Sequence, residues 1–237
     1  MRVEIWSDVV CPWCYVGKRR FETALAAFPH RDEVEVVWRS FELDAGAPPE
    51  RVGDYAQLLA DKYGFPVSEG QQMIDTMTRT AAVEGLDLRF DLARTGNTFD
   101  AHRLLHLARE RGVQDAVKER LVHATFTEGE PIGDAATLVR LVTEAGLDAD
   151  EAREVLASDR YAAEVRADEA QARAYGISGV PFFVVDGRYG VNGAQPVEAL
   201  AQVLATAWSE RQPLQMAGAP AGTGAAAPGC DGDSGAV

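Results

Sequence analysis

The sequence predicts an α/β fold in which a small mixed sheet is interrupted by a long helical segment. Three observations predict it. Residues 1–43 alternate between strand, helix and strand, residues 50–175 contain no convincing strand, and residues 180–211 return to two short strands and a closing helix. Strands at both ends of the chain with helices between them favour one sheet built from distant segments.

The first three elements follow from the apolar pattern. Residues 1–7 (MRVEIWS) predict a short strand, and residues 15–28 carry apolar side chains at helical spacing. Residues 34–43 are rich in Val, Trp and Phe, which favours a second strand. Because a helix connects the two strands, we expect them to be parallel.

The interrupting segment is helical in pattern. It begins after a breaker at residues 46–49 (GAPP), and glycines and prolines separate its apolar, helically spaced stretches. The predicted helices span about residues 51–63, 68–84, 98–111, 113–127, 134–145 and 148–175, the last one broken near Ser158.

The end of the chain returns to strands. Residues 180–185 (VPFFVV) predict a short apolar strand, and Asp186-Gly187 favours a two-residue turn of the primed type into a partner strand at 188–192. Residues 196–211 predict an amphipathic helix. The summed order is that of a thioredoxin-like sheet with a helical domain inserted after the second strand.

This order divides the chain into three parts. We expect residues 1–45 and 176–212 to form a discontinuous thioredoxin-like domain and residues 46–175 to form a helical insertion domain. Residues 213–237 are mostly Ala, Gly, Pro and Ser, which cannot bury enough apolar surface to offset the entropy of ordering. We therefore predict a disordered tail.

Composition excludes several classes of function. Lys and Arg total 23 against 37 Asp and Glu, which gives a net charge of -14 in 237 residues. With no basic run, neither a nucleic-acid partner nor an anionic membrane surface is expected. No secretory signal pattern and no apolar stretch near the roughly 18 residues of a membrane span is found, so we expect a cytoplasmic protein.

The segment Cys11-Pro12-Trp13-Cys14 lies at the predicted junction of the first strand and helix. Cys11 is the candidate nucleophile, because backbone N–H groups at a helix start stabilise a thiolate and lower its pKa. Pro12 suits the first helical position, and Trp13 offers an apolar platform for a substrate. Cys14, one turn later, is expected to be more buried and to be the resolving thiol.

Half of a zinc site is the alternative for this cysteine pair. Zinc needs two further ligands, and only Cys230 in the predicted tail and 4 histidines remain, with no second clustered pair. Redox chemistry is favoured, and no metal site is predicted. His102 and His106 share a helix face, as metal ligands can, but no acidic residue of the H-E-x-x-H kind lies between them, which favours a packing or surface role.

Pro181 stands at the start of the third strand, where it forfeits a hydrogen-bond donor. A cis bond between Val180 and Pro181 is one reason for it. The Val180 backbone would then lie beside the cysteine pair, open to pair with an extended peptide. An ordinary trans proline is the alternative, and the order of the two motifs favours the cis bond.

Four motifs give the chain a resemblance to the DsbA-like thioredoxin family, and more narrowly to its FrnE-type branch, which is grouped with 2-hydroxychromene-2-carboxylate isomerases. They are Ser7-Asp8 with Cys11–Tyr15, Asn97-Thr98 with Ala101–Leu104, Gly179–Phe183 and Gly193–Pro196. The resemblance covers residues 1–211 and implies a DsbA-like fold and thiol–disulfide oxidoreductase activity. It implies catalytic roles for Cys11 and Cys14, with Pro181 as the cis proline.

Two further residues are candidates for substrate binding. Related isomerases use an asparagine near the thiol ligand, which the resemblance places at Asn97; the alternative is that Asn97 or Thr98 caps the following helix. His102 is expected to line the cleft between the domains and to assist proton transfer. Relatives often carry paired cysteines near the C-terminus, whereas Cys230 stands alone, as an idle thiol or a partner in a mixed disulfide.

The sequence thus predicts a cytoplasmic disulfide reductase or isomerase that acts on protein or peptide disulfides held by Pro12, Trp13 and Val180. No organic cofactor is needed; a cellular thiol system exchanges the electrons, and glutathione is a candidate thiol partner. One alternative is a glutathione-dependent isomerase or transferase, whose first cysteine position is typically serine. Another is a peptide-binding chaperone. Both a monomer and a homodimer are open.

Overall fold

The strands and helices follow the predicted order. The computed structural model describes residues 1–51 and 53–211, so the predicted tail with Cys230 lies outside the described residues. The elements are β1 (Arg2–Ser7), α1 (Pro12–Ala26), β2 (Glu35–Ser40), α2 (Tyr55–Tyr63), α3 (Val67–Val83), α4 (Phe99–Glu110), α5 (Gln114–His123), α6 (Ala135–Glu144), α7 (Ala149–Leu156), α8 (Ala162–Ala174), β3 (Phe182–Val185), β4 (Tyr189–Asn192) and α9 (Val197–Ser209). Over the described ranges, no helix has the length and apolar character needed to cross a bilayer.

The sheet has the strand order β2-β1-β3-β4. β1 is parallel to β2, with Ile5 opposite Trp38, and antiparallel to β3, with Ile5 opposite Phe183. β3 and β4 form a hairpin whose turn residues Asp186 and Gly187 have φ of 53° and 67°. Positive φ at both positions is what a primed turn requires, so the predicted hairpin and the parallel pair are confirmed.

The break predicted near Ser158 separates α7 from α8, and a buried arginine organises it. Arg103 on α4 is 4% exposed and donates hydrogen bonds to the backbone carbonyls of Val155, Ser158 and Arg160. Tyr161 then adopts a left-handed backbone with φ of 65° and begins α8. These bonds tie the last turn of α7 and the loop that follows it to α4.

The free edge of β2 is covered by side chains from the helical segment. The Gln114 side chain accepts a hydrogen bond from Trp38 N at 3.0 Å and donates one to Trp38 O at 2.9 Å. Further along, Asp168 on α8 accepts from Ser40 N at 2.9 Å. Polar side chains thus take the place of a neighbouring strand and protect the edge from pairing with another chain.

Two large apolar clusters hold the molecule together. One lies under the sheet and is formed by β1, β3, α1 and α9, with Ile5, Phe21 and Phe183 among its buried members. The other is formed mainly by the helical segment between β2 and β3, yet it also contains Val9 and Val16 from the N-terminal part. The helical segment and the N-terminal part therefore share a core.

Candidate active site

Cys11 lies at the N-terminus of α1. Its backbone is extended, with φ of -102° and ψ of 109°, and its sulfur accepts a hydrogen bond from Cys14 N at 3.3 Å. Pro12 occupies the first turn, where the N–H group that proline lacks has no helical partner anyway. The sulfur therefore lies where a helix N-terminus stabilises negative charge.

The second cysteine lies deeper than the first. Both thiols are free and buried, with Cys11 4% and Cys14 1% exposed. The hydrogen bond with Cys14, then burial and the like charge of Cys14, raise the pKa of Cys11. Burial also raises the pKa of Cys14, but the hydrogen bond from Cys11 and the charge of Lys118 outweigh it, and the pKa of Cys14 is lowered overall.

The helix start acts on Cys11 in the expected direction, but it does not set the pKa of that thiol by itself. The backbone N–H of Cys14 lowers the pKa of Cys11, but the Cys14 thiol beside it and burial outweigh that effect. The first ionisation of the pair is favoured, and the second places two like charges side by side in a buried site.

The peptide bond between Val180 and Pro181 is cis, as the sequence predicts. The Cys11 thiol donates to the Val180 carbonyl, with 3.5 Å between Sγ and O. Within the described part of the chain, the Val180 N–H donates no hydrogen bond. The backbone next to the reactive sulfur is therefore open on its donor side.

Gly17 allows α1 to approach Pro181 closely. A Cβ atom on residue 17 would lie 2.8 Å from Pro181 Cγ and 3.5 Å from the Phe183 ring. The first distance is shorter than carbon atoms tolerate, and a proline ring has little freedom to move aside. The contact positions the cysteine helix against the residue that follows Val180.

A cavity of about 670 Å³ opens beside Cys11. Cys11, Pro12, Trp13 and Val180 form one side of it, and residues of α2 and α3 form much of the rest. Three large apolar side chains that line it are exposed, namely Trp13 (42%), Tyr63 (57%) and Met73 (44%). The structure thus brings four of the predicted site residues to one opening.

Asn97 does not reach this cavity, which is a correction to its predicted part in substrate binding. Its side-chain oxygen accepts from Phe99 N at 3.0 Å, and its amide donates to the carbonyls of Ala45 at 3.5 Å and Ala47 at 3.4 Å. The residue caps the start of α4 and ties it to the segment that follows β2. The capping alternative is the one that the contacts support.

His102 is also corrected, because it is 0% exposed and does not line the cleft. Its Nε2 lies 3.3 Å from Asp8 Oδ1. Asp8 also accepts from the backbone N–H groups of Val9 at 2.7 Å and Leu43 at 2.8 Å. His102 therefore fixes the loop between β1 and α1 from behind, and its ring is not exposed to the cavity.

Two residues near the cysteines were missed by sequence reasoning. Lys118 on α5 is 1% exposed, and its charge acts on the pKa of Cys14. Nothing in its local pattern separates it from a solvent-facing lysine. Gly17 did carry a signal, because a glycine inside an amphipathic helix often marks a close approach of another segment.

Comparisons with known proteins show the family of the chain. Residues 2–205 match the model of the DSBA-like thioredoxin domain. The uncharacterized protein YwbO of Bacillus subtilis is 30% identical over 190 residues, which cover 78% of this chain and 86% of YwbO. The crystal structure of a probable DsbA oxidoreductase from Streptomyces coelicolor is 52% identical, with a TM-score of 0.87 over 97% of this chain and 100% of that one.

A more distant structure shares the fold. The cytosolic disulfide reductase DsbM of Pseudomonas aeruginosa is 18% identical, with a TM-score of 0.62 over 88% of this chain and 99% of DsbM. Since the family model spans β1 to α9 and includes both cysteines and the cis proline, the chain belongs to the DSBA-like thioredoxin domain family.

Proposed function

We propose that this protein is a cytoplasmic thiol–disulfide oxidoreductase that reduces or rearranges disulfides in proteins and peptides. The observation that carries the proposal is the position of Cys11. Its sulfur lies at a helix N-terminus, 3.5 Å from the Val180 carbonyl, at the wall of an apolar cavity. The cytoplasm is proposed because a close cysteine pair in a chain with only 3 cysteines fits a catalytic role in a reducing compartment.

The proposed reaction has two exchange steps. The Cys11 thiolate attacks a substrate disulfide, so one S–Cys11 bond forms while the substrate S–S bond breaks and one substrate sulfur leaves with a proton. Cys14, now a thiolate, then attacks the Cys11 sulfur and releases the second substrate sulfur as a thiolate, which takes its proton from water. The substrate has gained two electrons, and the enzyme ends with a Cys11–Cys14 disulfide, which a cellular thiol must reduce.

Proton exchange between the two neighbouring thiols supplies the attacking form. Since the pKa of Cys14 is lowered and that of Cys11 is raised, the shared charge favours Cys14 in the resting site. Transfer of the proton from Cys11 to Cys14 produces the Cys11 thiolate at the cavity wall. The same proton is available to the leaving substrate sulfur.

Protein and peptide disulfides are the proposed substrates because the cavity offers backbone and apolar partners. The free N–H of Val180 can pair with an extended substrate strand beside Cys11. The exposed surfaces of Trp13, Tyr63 and Met73 suit the apolar side chains that flank a disulfide. Flexible and amphipathic side chains of this kind accommodate varied sequences.

Glutathione is the proposed electron donor for recycling. Its carboxylates favour a cationic partner, and the side chains of Lys62 and Arg51 line the same cavity as Cys11. The disulfide reductase DsbM, which shares the fold, has also been solved with GSH. No organic cofactor or metal is required by the two exchange steps.

Trapping tests the proposal directly. In a Cys230→Ser background, which removes the tail thiol, we expect Cys14→Ser to accumulate a covalent adduct with a disulfide-containing protein such as insulin. The adduct forms because the resolving thiol is absent, and a reducing agent reverses it. Cys11→Ser is the matched control and forms none. Insulin reduction should fall by about a hundredfold or more in both variants.

Other outcomes favour the alternatives. A Cys11→Ser/Cys14→Ser double variant that keeps full function in cells would point to a peptide-binding chaperone. Glutathione-dependent isomerase activity in Cys14→Ala, together with no insulin reduction by the native protein, would point to an isomerase of the same fold. Either result contradicts the dithiol exchange proposed for Cys11 and Cys14.

A further inference from the structure

Lys118 is a buried charge that the exchange steps leave unexplained. It is 1% exposed, and its Nζ donates no hydrogen bond in the part of the chain that the structure describes. Removing an ammonium group from water costs several kcal/mol, roughly, unless an anion nearby compensates it. The role of Lys118 therefore depends on which anion compensates its charge.

Lys18 provides the contrast within the same chain. It is also buried, and the Nζ atoms of Lys18 and Lys118 lie 5.9 Å and 5.6 Å from the centroid of the same Trp38 ring. Lys18 forms salt bridges to carboxylates of Glu22, Asp115 and Glu119. Lys118 has no salt bridge of this kind to any described residue, so two lysines in similar surroundings differ in their anions.

Lys18 follows Cys14 by one turn of α1 and shares the Trp38 ring with Lys118, so Lys118 lies beside the part of α1 that carries the cysteine pair. The anionic groups that act on Lys118 are the two cysteines and Asp8. Burial lowers the pKa of Lys118, and the charges of Cys14, Asp8 and Cys11 oppose that lowering. Asp8 is already held by two backbone N–H groups and by His102. The sulfurs are the anions whose charge appears and disappears with the redox state of the site.

We propose that Lys118 is the counter-ion of the thiolate in the cysteine pair and that it stabilises the reduced site. The inference rests on the dithiol exchange proposed above and deepens it. Lys118 acts through the sulfurs and not on the substrate, so it is a positioning residue. A charge on the helical segment thereby sets the redox equilibrium of a pair held by β1 and α1.

The electron and proton balance links Lys118 to pH. Reduction by two thiols delivers two electrons, breaks the Cys11–Cys14 bond and leaves one thiol and one thiolate that share a proton. The remaining negative charge faces the Lys118 ammonium. In the disulfide no sulfur is charged, so Lys118 releases its proton more easily, and reduction takes up a proton at Lys118 as well as one at sulfur.

Other charged groups around Lys118 are held in place by partners of their own. Lys18 of α1 adds repulsion and is neutralised by its three carboxylates, while His102 of α4 acts on Asp8. The charged and titratable groups that act most strongly on the pKa of Lys118 are Cys14, Asp8, Cys11 and Lys18. Of these, only the cysteines change charge on oxidation.

The test compares Lys118→Met with Lys18→Met. For Lys118→Met we expect the midpoint of thiolate absorbance to rise by about one pH unit or more, a tenfold change in ionisation. The equilibrium with glutathione should move about tenfold toward the disulfide, which corresponds to a potential about 30 mV more reducing. In Lys18→Met both quantities should change less than about threefold, because its carboxylates already neutralise that charge.

If Lys118 had only a structural role, its replacement would change the stability of the reduced and oxidised proteins equally. Lys118→Met should destabilise the reduced protein relative to the oxidised protein, and the ratio of the two unfolding constants should change by the same tenfold factor. Lys118→Gln replaces the variant if the methionine protein does not fold. Equal effects on both redox forms, or a thiolate midpoint within about 0.3 of native, would overturn the inference.

The two proposals fail in different ways. If the native protein forms no Cys11–Cys14 disulfide with glutathione, the exchange function itself is wrong. If the native protein exchanges disulfides and both Lys118 variants keep its thiolate midpoint and its equilibrium, only the role of Lys118 is wrong.

Discussion

The helix that carries the cysteines can pack against Pro181 because residue 17 has no side chain. A glycine inside a helix costs about 1 kcal/mol relative to alanine. Here the missing side chain permits close packing, because a Cβ atom on residue 17 would lie only 2.8 Å from the proline ring. The spacing between Cys11 and Val180 therefore depends on a residue that takes no part in the chemistry.

We expect Gly17→Ala to lower the free energy of unfolding by about 1–3 kcal/mol, because overpacking outweighs the gain in helix propensity. Disulfide reduction should fall as well, since the cysteines move relative to Val180. Denaturant unfolding measures the first effect and insulin reduction the second. Gly46→Ala is the control: a Cβ there meets only Asp44 Oδ1, at 3.5 Å. A Gly17→Ala protein of native stability and activity would contradict the argument.

Single residues also mark the limit of reading the site from sequence. Cys11, Pro12, Trp13 and Val180 were found because each lies in a short motif with a chemical reason. Lys118 was not, because its burial is decided by segments far away along the chain.

Among the elements, β2 depends most on groups outside the sheet. Its neighbour on one side is β1, and on the other side the Gln114 amide bonds both backbone groups of Trp38. Gln114 is at the start of α5 and is 8% exposed, so water cannot replace these bonds freely. The Gln114 side chain thus makes the two hydrogen bonds to Trp38 that a neighbouring strand would otherwise make.

We expect Gln114→Ala to lower the free energy of unfolding by about 1–3 kcal/mol, because it leaves the Trp38 N–H and C=O groups buried without partners. Gln71→Ala removes an exposed glutamine bonded to Asp75 at 2.8 Å and should change the free energy by less than about 0.5 kcal/mol. Denaturant unfolding of both variants measures the difference. An equal loss in the two would show that the edge contact contributes nothing.

Secondary structure was largely predictable because its signals are local. The alternation in residues 1–7, the Asp186-Gly187 turn and the glycines between helices each act over a few residues. The third strand begins at Phe182 and not at Val180, and the second ends at Ser40 and not at 43. In the second case Leu43 N bonds the Asp8 carboxylate at 2.8 Å, a contact that no local pattern encodes.

Across the molecule, Asp168 links the helical segment to the sheet. Its carboxylate bonds Arg39 at 2.8 Å, His106 at 3.2 Å and Ser40 N at 2.9 Å, and its backbone carbonyl accepts from Trp6 Nε1 at 2.9 Å. Burial by itself raises the pKa of Asp168, but the His106 and Ser40 hydrogen bonds and the charge of Arg39 outweigh it, so the pKa is lowered.

A lowered folded pKa fixes the direction of the pH effect. The contribution of Asp168 is complete above the usual aspartate pKa of about 3.9 and is lost as the pH falls from there through the folded value. We expect Asp168→Asn to lower the free energy of unfolding at pH 7 by about 2–4 kcal/mol. The difference from the native protein should shrink below about pH 4.

Urea unfolding of native and variant protein from pH 7 to pH 3 measures this change. Asp32→Asn, at an aspartate side chain that is 91% exposed, is the control and should run parallel to the native protein. A difference for Asp168→Asn that stays constant over that range would show that the ionised carboxylate is not what stabilises the link.

The architecture as a whole was predictable, and the packing between its parts was not. The order of strands and the two motifs were enough to expect a thioredoxin-like sheet with an insertion. They predicted the capping role of Asn97 as an alternative, but not its bonds to Ala45 and Ala47 or the contact of His102 with Asp8, since these depend on how α4 lies against the loops after β1 and β2.

The shared core has a consequence for how such a protein can be altered. If the helical segment contacted the rest of the protein only at its two ends, it could be deleted and the thioredoxin-like part would still fold. Here Val9 and Val16 are buried among the inserted helices, and α5 and α8 shield the border of β2. Deleting the helical segment would expose Val9, Val16 and the edge of β2 to solvent. The sheet and the inserted helices therefore depend on each other for folding.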